Sequence, residues 1–223
     1  MLTYIKTENP GLGEIDLTKE INTLLSEDKK VLWIISGGSN ISVELTIMRQ
    51  LDKSKTSNLR IILGDERYGQ KNQQDSNEKA LLDNGFNPDE FNFIPVLEEK
   101  SLGETTMDFS NRIDEAMNWA DFTIGQFGIG SDGHISGVLP ESIGVTEQGN
   151  AVSYQGPDFT RITMTLSALS KINLAYVFAF GSNKIEALTN LKNKSLDINS
   201  MPSLVLYNIG SVYLYNNNLG DKE

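Results

Sequence analysis

Three apolar runs constrain this chain more than any other feature: VLWII at 31–35, RIIL at 60–63 and AYVFAF at 175–180. A strand that is apolar at nearly every position has no solvated face, so both of its faces must be covered. That condition is met in a parallel sheet enclosed by helices. The pattern predicts strands at Val31–Ile35, Leu59–Leu63, Phe91–Ile94, Phe122–Phe127, Leu174–Phe180 and Val212–Tyr215. Amphipathic stretches lie between them and predict helices at about Ile41–Leu51, Ser76–Asp83, Leu102–Trp119 and Lys184–Leu191, with a short one near Ser136. The long helix has a start signal, because Ser101 followed three residues later by Glu104 forms a capping box. Strands alternating with helices indicate an α/β fold: a mostly parallel sheet with helices on both faces, a Rossmann-like three-layer arrangement.

No Pro/Ser-rich linker, repeat or low-complexity tract interrupts the 223 residues, so residues 1–223 read as a single domain. A chain of this mass buries about 70% of its surface on folding, enough for one substantial core without staples. The first 25 residues and the polar tail NNNLGDKE read as peripheral.

Composition removes whole classes of function. There are no cysteines and one histidine, which excludes disulfides, thiolate metal sites, a cysteine nucleophile and any site built from several imidazoles. The 19 Lys+Arg against 30 Asp+Glu leave a net charge of −11, a field that repels nucleic acid and anionic membrane surfaces. No apolar stretch approaches the roughly 18 residues needed to span a bilayer, and the N-terminus has no secretory pattern. The expectation is therefore a cytoplasmic protein, monomer or homodimer, acting on a small molecule. An anionic ligand would need a locally positive pocket.

In an open α/β sheet that pocket lies beyond the carboxyl ends of the strands. The first predicted strand runs into Ser36-Gly37-Gly38-Ser39-Asn40 and then a helix. This is either a phosphate cradle of backbone N–H groups or an ordinary turn with Ser39 or Asn40 as N-cap. The second ends in Gly64-Asp65-Glu66-Arg67, where Arg67 suits a phosphate or oxyanion and Asp65 a sugar hydroxyl, although an Arg–carboxylate pair stiffening the loop fits as well. The fourth ends in Gly128-Ile129-Gly130-Ser131-Asp132-Gly133-His134. Its formal GxGxxG does not suit a dinucleotide, because Asp132 would stand where the pyrophosphate lies. What it offers is the only histidine, two residues after an aspartate that can set its tautomer, which is a general base near neutral pH. No GxSxG elbow exists for a serine nucleophile, so water is the expected attacking group. Arg161 and Lys184 are the remaining basic candidates; a cation at the start of a helix opposes the helix dipole and suggests a bound anion.

In this order these pieces resemble the 6-phosphogluconolactonase family and the wider group that includes glucosamine-6-phosphate deaminase. The resemblance is carried by Ser36-Gly37-Gly38-Ser39, Gly64-Asp65-Glu66-Arg67 with Asp75-Ser76-Asn77, the stretch from Gly128 through His134 to Pro140, Arg161-Ile162-Thr163-Met164-Thr165, and Gly181-Ser182-Asn183-Lys184, across about residues 31 to 205. It implies a sugar-phosphate substrate and His134 as the base that activates water toward a lactone carbonyl, with Asp132 orienting it or touching substrate. It assigns Ser36, Gly37, Gly38, Ser39, Arg161 and Lys184 to the phosphate, Arg67 to phosphate or lactone oxygen, and Asp65 and Gly130 to substrate contact. No metal or organic cofactor is implied. Deaminases of the group carry a glutamate before the proline and a tyrosine after the Asp-Glu pair, where this chain has Leu139 and Arg67. The lactonases usually have Thr-Pro or Ser-Pro at Ser39-Asn40 and Ala-Ser-Leu-Phe-Pro where this chain has Ser136-Gly137-Val138-Leu139-Pro140. The resemblance thus implies hydrolysis of 6-phosphogluconolactone in the pentose phosphate pathway. A deaminase/isomerase and a non-catalytic sugar-phosphate sensor are the alternatives.

Overall fold

The structure is a computed structural model and describes residues 1–220. In chain order its elements begin with β1 (Leu2–Lys6), α1 (Gly11–Ser26), β2 (Val31–Ile35), α2 (Ile41–Gln50), β3 (Leu59–Leu63), β4 (Asp65–Arg67) and α3 (Asn77–Asp83). There follow β5 (Asn92–Ile94), α4 (Leu102–Trp119), β6 (Phe122–Phe127), α5 (Ile143–Thr146), β7 (Ala151–Gln155) and β8 (Thr160–Met164). The last are α6 (Leu166–Leu169), β9 (Leu174–Phe178), α7 (Ile185–Asn193) and β10 (Ser211–Asn216).

Seven strands form one parallel sheet in the order β1-β10-β9-β6-β2-β3-β5. Every residue of β2 and of β9 is buried, so both faces of the sheet are covered there, as the apolar runs require. On α4, Phe109, Ile113 and Ala116 recur at helical spacing and are buried. Its N-terminus carries the expected box, with Ser101 and Glu104 each satisfying the other's backbone amide.

Several expectations require correction. The first 25 residues are not peripheral. β1 is an edge strand paired along its whole length with β10, and α1 buries Leu17, Ile21 and Leu25 in the common core. The pairing joins opposite ends of the chain, so no local pattern announces it. The tail is not peripheral either, as far as it is described: Asn216 is buried, and its Oδ1 accepts the backbone N–H groups of Asn218 and Leu219 at 2.9 and 2.6 Å. Residues 221–223 of the tail lie outside the described residues. No helix forms at Ser136. Ile135 and Val138 bond to each other across a two-residue turn, with Ser136 in the left-handed region at φ 52°. That turn is locked by Gly137 N–H donating to Thr163 Oγ1 at 3.1 Å. A second sheet, antiparallel in the order β4-β8-β7, goes beyond the predicted strands.

Candidate active site

The chain leaves β2 toward β3 and β5 on one side, then returns through β6 on the other side of β2. The loops at the carboxyl ends of β2 and β6 therefore diverge and leave a crevice at the switch point. Those loops are Ser36–Asn40 and Gly128–His134. The cleft between them is lined by Ser36, Gly37, Gly38, Ser39, Asp65, Arg67, Gly130, His134, Arg161 and Lys184, joined by Asn40, Asn77, Gly128, Ile129 and Ser136. Asp132 alone of the sequence-predicted residues stands outside the lining, behind His134.

The loop after β6 closes on itself. Gly130 N–H donates to the His134 carbonyl at 2.9 Å and Gly133, at φ 84°, donates to the Gly130 carbonyl at 3.1 Å. Within this ring Asp132 Oδ1 accepts the His134 backbone N–H at 3.2 Å and meets His134 Nδ1 at 2.6 Å. With Nδ1–H donating to the carboxylate, Nε2 is left as the ring's acceptor. Partial burial pushes the Asp132 carboxyl up, but the hydrogen bonds and charge of His134 outweigh it and hold the group at about 2. A side chain at Gly130 would force this pair to move, because its Cβ would fall 2.1 Å from His134 Nδ1 and 2.3 Å from Asp132 Oδ1.

Across the cleft three cations gather. Arg67 on β4 and Arg161 on β8 are direct register partners, and both guanidinium groups lie against the Phe159 ring, at 5.3 and 5.8 Å. Like charges placed opposite each other on paired strands repel. Neither arginine nor Lys184 makes an ion pair among the described residues, and the Nε of each arginine is buried without a hydrogen-bond partner. In a chain of net charge −11, three cations without an ion-pair partner make this cleft locally positive, as an anionic ligand requires. Lys184 ends a 3₁₀ turn (Ser182–Lys184) and is the N-cap of α7, so the helix begins one residue later than the sequence predicts. Its loop is held by the tail: Gly181 N–H donates to Asn217 Oδ1 and Asn218 Nδ2 donates to the Gly181 carbonyl, both at 3.0 Å.

Strand alternation separates the acids of Asp65-Glu66. Asp65 faces the cleft. Burial raises its pKa, while Arg67, Arg161, His134 and a hydrogen bond from Ser136 pull it down without cancelling the effect. Glu66 points the other way and anchors the start of α3, accepting from the backbone of Arg67, Asn77 and Glu78 and from Ser76 Oγ. Burial raises its pKa despite these bonds. Neither acid forms the loop-stiffening ion pair with Arg67 that was the alternative reading. Arg67 is oriented instead by donating Nη1 to the Asp75 carbonyl at 2.7 Å. Asn40 is the N-cap of α2 but makes no side-chain cap; its amide donates to Ser36 Oγ at 3.2 Å. Among the described residues no group of three or more His, Asp or Glu side chains is placed to hold a metal ion, and no helix is long and apolar enough to cross a membrane.

Residues 14–212 match the family of glucosamine-6-phosphate isomerases and 6-phosphogluconolactonases. The chain belongs to that family. A 6-phosphogluconolactonase of Mycobacterium leprae is 24% identical over 190 residues, covering 77% of this chain and 76% of that protein. The crystal structure of 6-phosphogluconolactonase from Thermotoga maritima superposes with a TM-score of 0.79 at 18% identity, over 97% of this chain and 98% of that one. That of Leishmania guyanensis gives 0.79 at 18% identity, over 100% and 98%. The fold is shared along essentially the whole chain, the N-terminal strand and helix included. Sequence reasoning passed over Asn40 and Asn77 as lining residues, Phe159 as the ring between the arginines, and Asn217 and Asn218 as supports. Asn40, in the Ser36–Asn40 turn, and Asn77, in the Asp75-Ser76-Asn77 segment, carried signals that could have found them.

Proposed function

We propose that the protein hydrolyses 6-phosphogluconolactone to 6-phosphogluconate, a step of the pentose phosphate pathway, with His134 as general base. The observation that carries this reading is the His134–Asp132 pair, 2.6 Å apart on a glycine-built loop, facing a cleft that holds three unpaired cations. Neutral His134 takes a proton on Nε2 from a water as that water attacks the lactone carbonyl carbon. Asp132 supports the imidazolium that forms. Collapse of the tetrahedral adduct breaks the bond from carbonyl carbon to ring oxygen, and His134 returns the proton to the departing oxygen. The products are a hydroxyl and a carboxylic acid, which releases its proton to solvent to become the carboxylate, and the base is regenerated. A lactone is an activated acyl group, so one base and oxyanion stabilisation suffice without a covalent intermediate. The Ser36–Ser39 turn, Arg161 and Lys184 hold the phosphate, Arg67 meets the phosphate or the lactone oxygen, and Asp65 accepts a sugar hydroxyl.

The test generates the lactone in situ and follows its loss at mildly acidic pH, where spontaneous opening is slow. His134→Ala is expected to lower kcat by about 10²–10⁴-fold. Equal rates for wild type, variant and buffer overturn the proposal. Ammonia released from glucosamine 6-phosphate would then indicate the deaminase, and sugar-phosphate binding without turnover the sensor.

A further inference from the structure

Beneath the Ser36–Asn40 turn lies a carboxyl that the proposed chemistry leaves unused. Glu44, on α2, is completely buried. Its Oε1 accepts the Ser36 backbone N–H at 3.0 Å, and its Oε2 has no hydrogen-bond partner among the described residues. Ser36 Oγ in turn accepts from Asn40 Nδ2 at 3.2 Å. Asn40 stands against Gly128, where an added Cβ would fall 2.8 Å from that amide. Hydrogen bonds therefore run from Glu44 through Ser36 to Asn40, whose amide lies close to Gly128, the first residue after β6.

We propose that Glu44 is a positioning residue for the anionic end of the substrate: by taking the Ser36 amide it fixes the geometry of the Ser36–Asn40 turn, and so sets substrate affinity without touching substrate. The inference rests on the lactonase reading for its substrate, and on the geometry alone for the anion. An unpaired buried N–H costs free energy, so some acceptor at this position is required if the turn is to keep its shape. The chain supplies an acid rather than an amide or hydroxyl, in a place where no cation compensates it. α1 and α3 pack against α2, yet none of the charges they carry, Lys19, Glu20, Glu78 and Lys79 among them, acts on Glu44; the one charged neighbour that does is Asp65, itself an acid. Burial pushes the Glu44 carboxyl well above its ordinary value and Asp65 adds to this, while the hydrogen bonds from Ser36 oppose it only in part. Burial and Asp65 both disfavour the charged form of Glu44, the form that would repel an anion above the turn.

An amide offers the Ser36 N–H the same acceptor oxygen, which gives Glu44→Gln and Glu44→Leu opposite expectations. Glu44→Leu keeps the volume but leaves the Ser36 N–H unpaired. It should raise KM for the lactone about tenfold or more, with kcat within about threefold of wild type because His134 and Asp132 are unmoved. The Kd for inorganic phosphate, read by calorimetric titration, should rise by the same factor. Glu44→Gln should restore both constants to wild-type values. An unchanged KM and Kd in Glu44→Leu, an equal loss confined to kcat, or a Glu44→Gln variant as weak as Glu44→Leu each overturn the proposal. If circular dichroism shows that Glu44→Leu does not fold, Glu44→Asp decides, since its carboxyl is withdrawn from the Ser36 amide by one methylene; it should raise KM and Kd, and unchanged values overturn the idea. A wild-type protein that binds phosphate but does not open the lactone refutes the lactonase reading alone, and the phosphate titration still decides Glu44.

Discussion

Replacing Gly130 with alanine tests the His134–Asp132 pair without removing either member. Gly130 is not among the residues with positive φ, so alanine meets no backbone strain there and acts through its Cβ alone. That atom would stand 2.1 Å from His134 Nδ1 and 2.3 Å from Asp132 Oδ1, whereas ordinary contact begins at 3.4 Å. Each group must retreat by about 1 Å, and because both side chains are exposed the cost falls on their geometry rather than on the stability of the fold. They cannot retreat independently, because the loop is closed by the bond from Gly130 N–H to the His134 carbonyl. A displacement of about 1 Å at a reacting group is worth about 10²-fold in rate, or about 2.7 kcal/mol of transition-state stabilisation. The assay is lactone hydrolysis at saturating and limiting substrate, alongside thermal unfolding. The expected result is a folded protein with kcat reduced about 10²-fold and KM little changed, since the cations proposed to hold the phosphate lie on other elements. Combining Gly130→Ala with His134→Ala should add almost nothing to the loss from His134→Ala, as both disable one unit. A Gly130→Ala variant with wild-type kcat, or one whose loss adds fully to that of His134→Ala, would refute the argument that this pair organises the chemistry.

Arg161→Ala should raise KM by about tenfold or more, the worth of a lost charged hydrogen bond, and should abolish the rise in Tm that inorganic phosphate gives the wild type by mass action. Retained phosphate stabilisation would remove Arg161 from the anion site. Leu17→Ala should cost about 2–5 kcal/mol in urea unfolding, as expected of a fully buried leucine; a loss near zero would mean that the N-terminal helix is dispensable to the core.

Much of the architecture is written locally. The runs at 31–35 and 59–63 needed cover on both faces whatever lay around them, and they became β2 and β3 at the predicted residues. The capping box at Ser101 and Glu104 starts α4 through bonds that span three residues. Glycine-rich segments at the ends of predicted strands placed most of the cleft, because in a parallel sheet all carboxyl ends point the same way and their loops must meet. Period, capping and strand direction are properties of short segments, and the sequence by itself was sufficient for them.

Other features depend on residues far apart in the chain. The pairing of β1 with β10 and the burial of α1 beside them depend on the C-terminal strand, more than 200 residues from β1 in the chain. The facing of Arg67 and Arg161 is a matter of register between strands nearly a hundred residues apart, and it brings two ordinary basic residues together on one cleft. Alternation along β4 directs Asp65 into the cleft and Glu66 under α3, although the two look equivalent as neighbours in sequence. The turn at Ser136 replaced the expected helix because Thr163, on a distant strand, binds the Gly137 amide. Glu44 reads on paper as one more polar residue of an amphipathic helix. Only the packing of α2 beneath the Ser36 turn removes it from water, and burial in a place without a cation is what changes its chemistry.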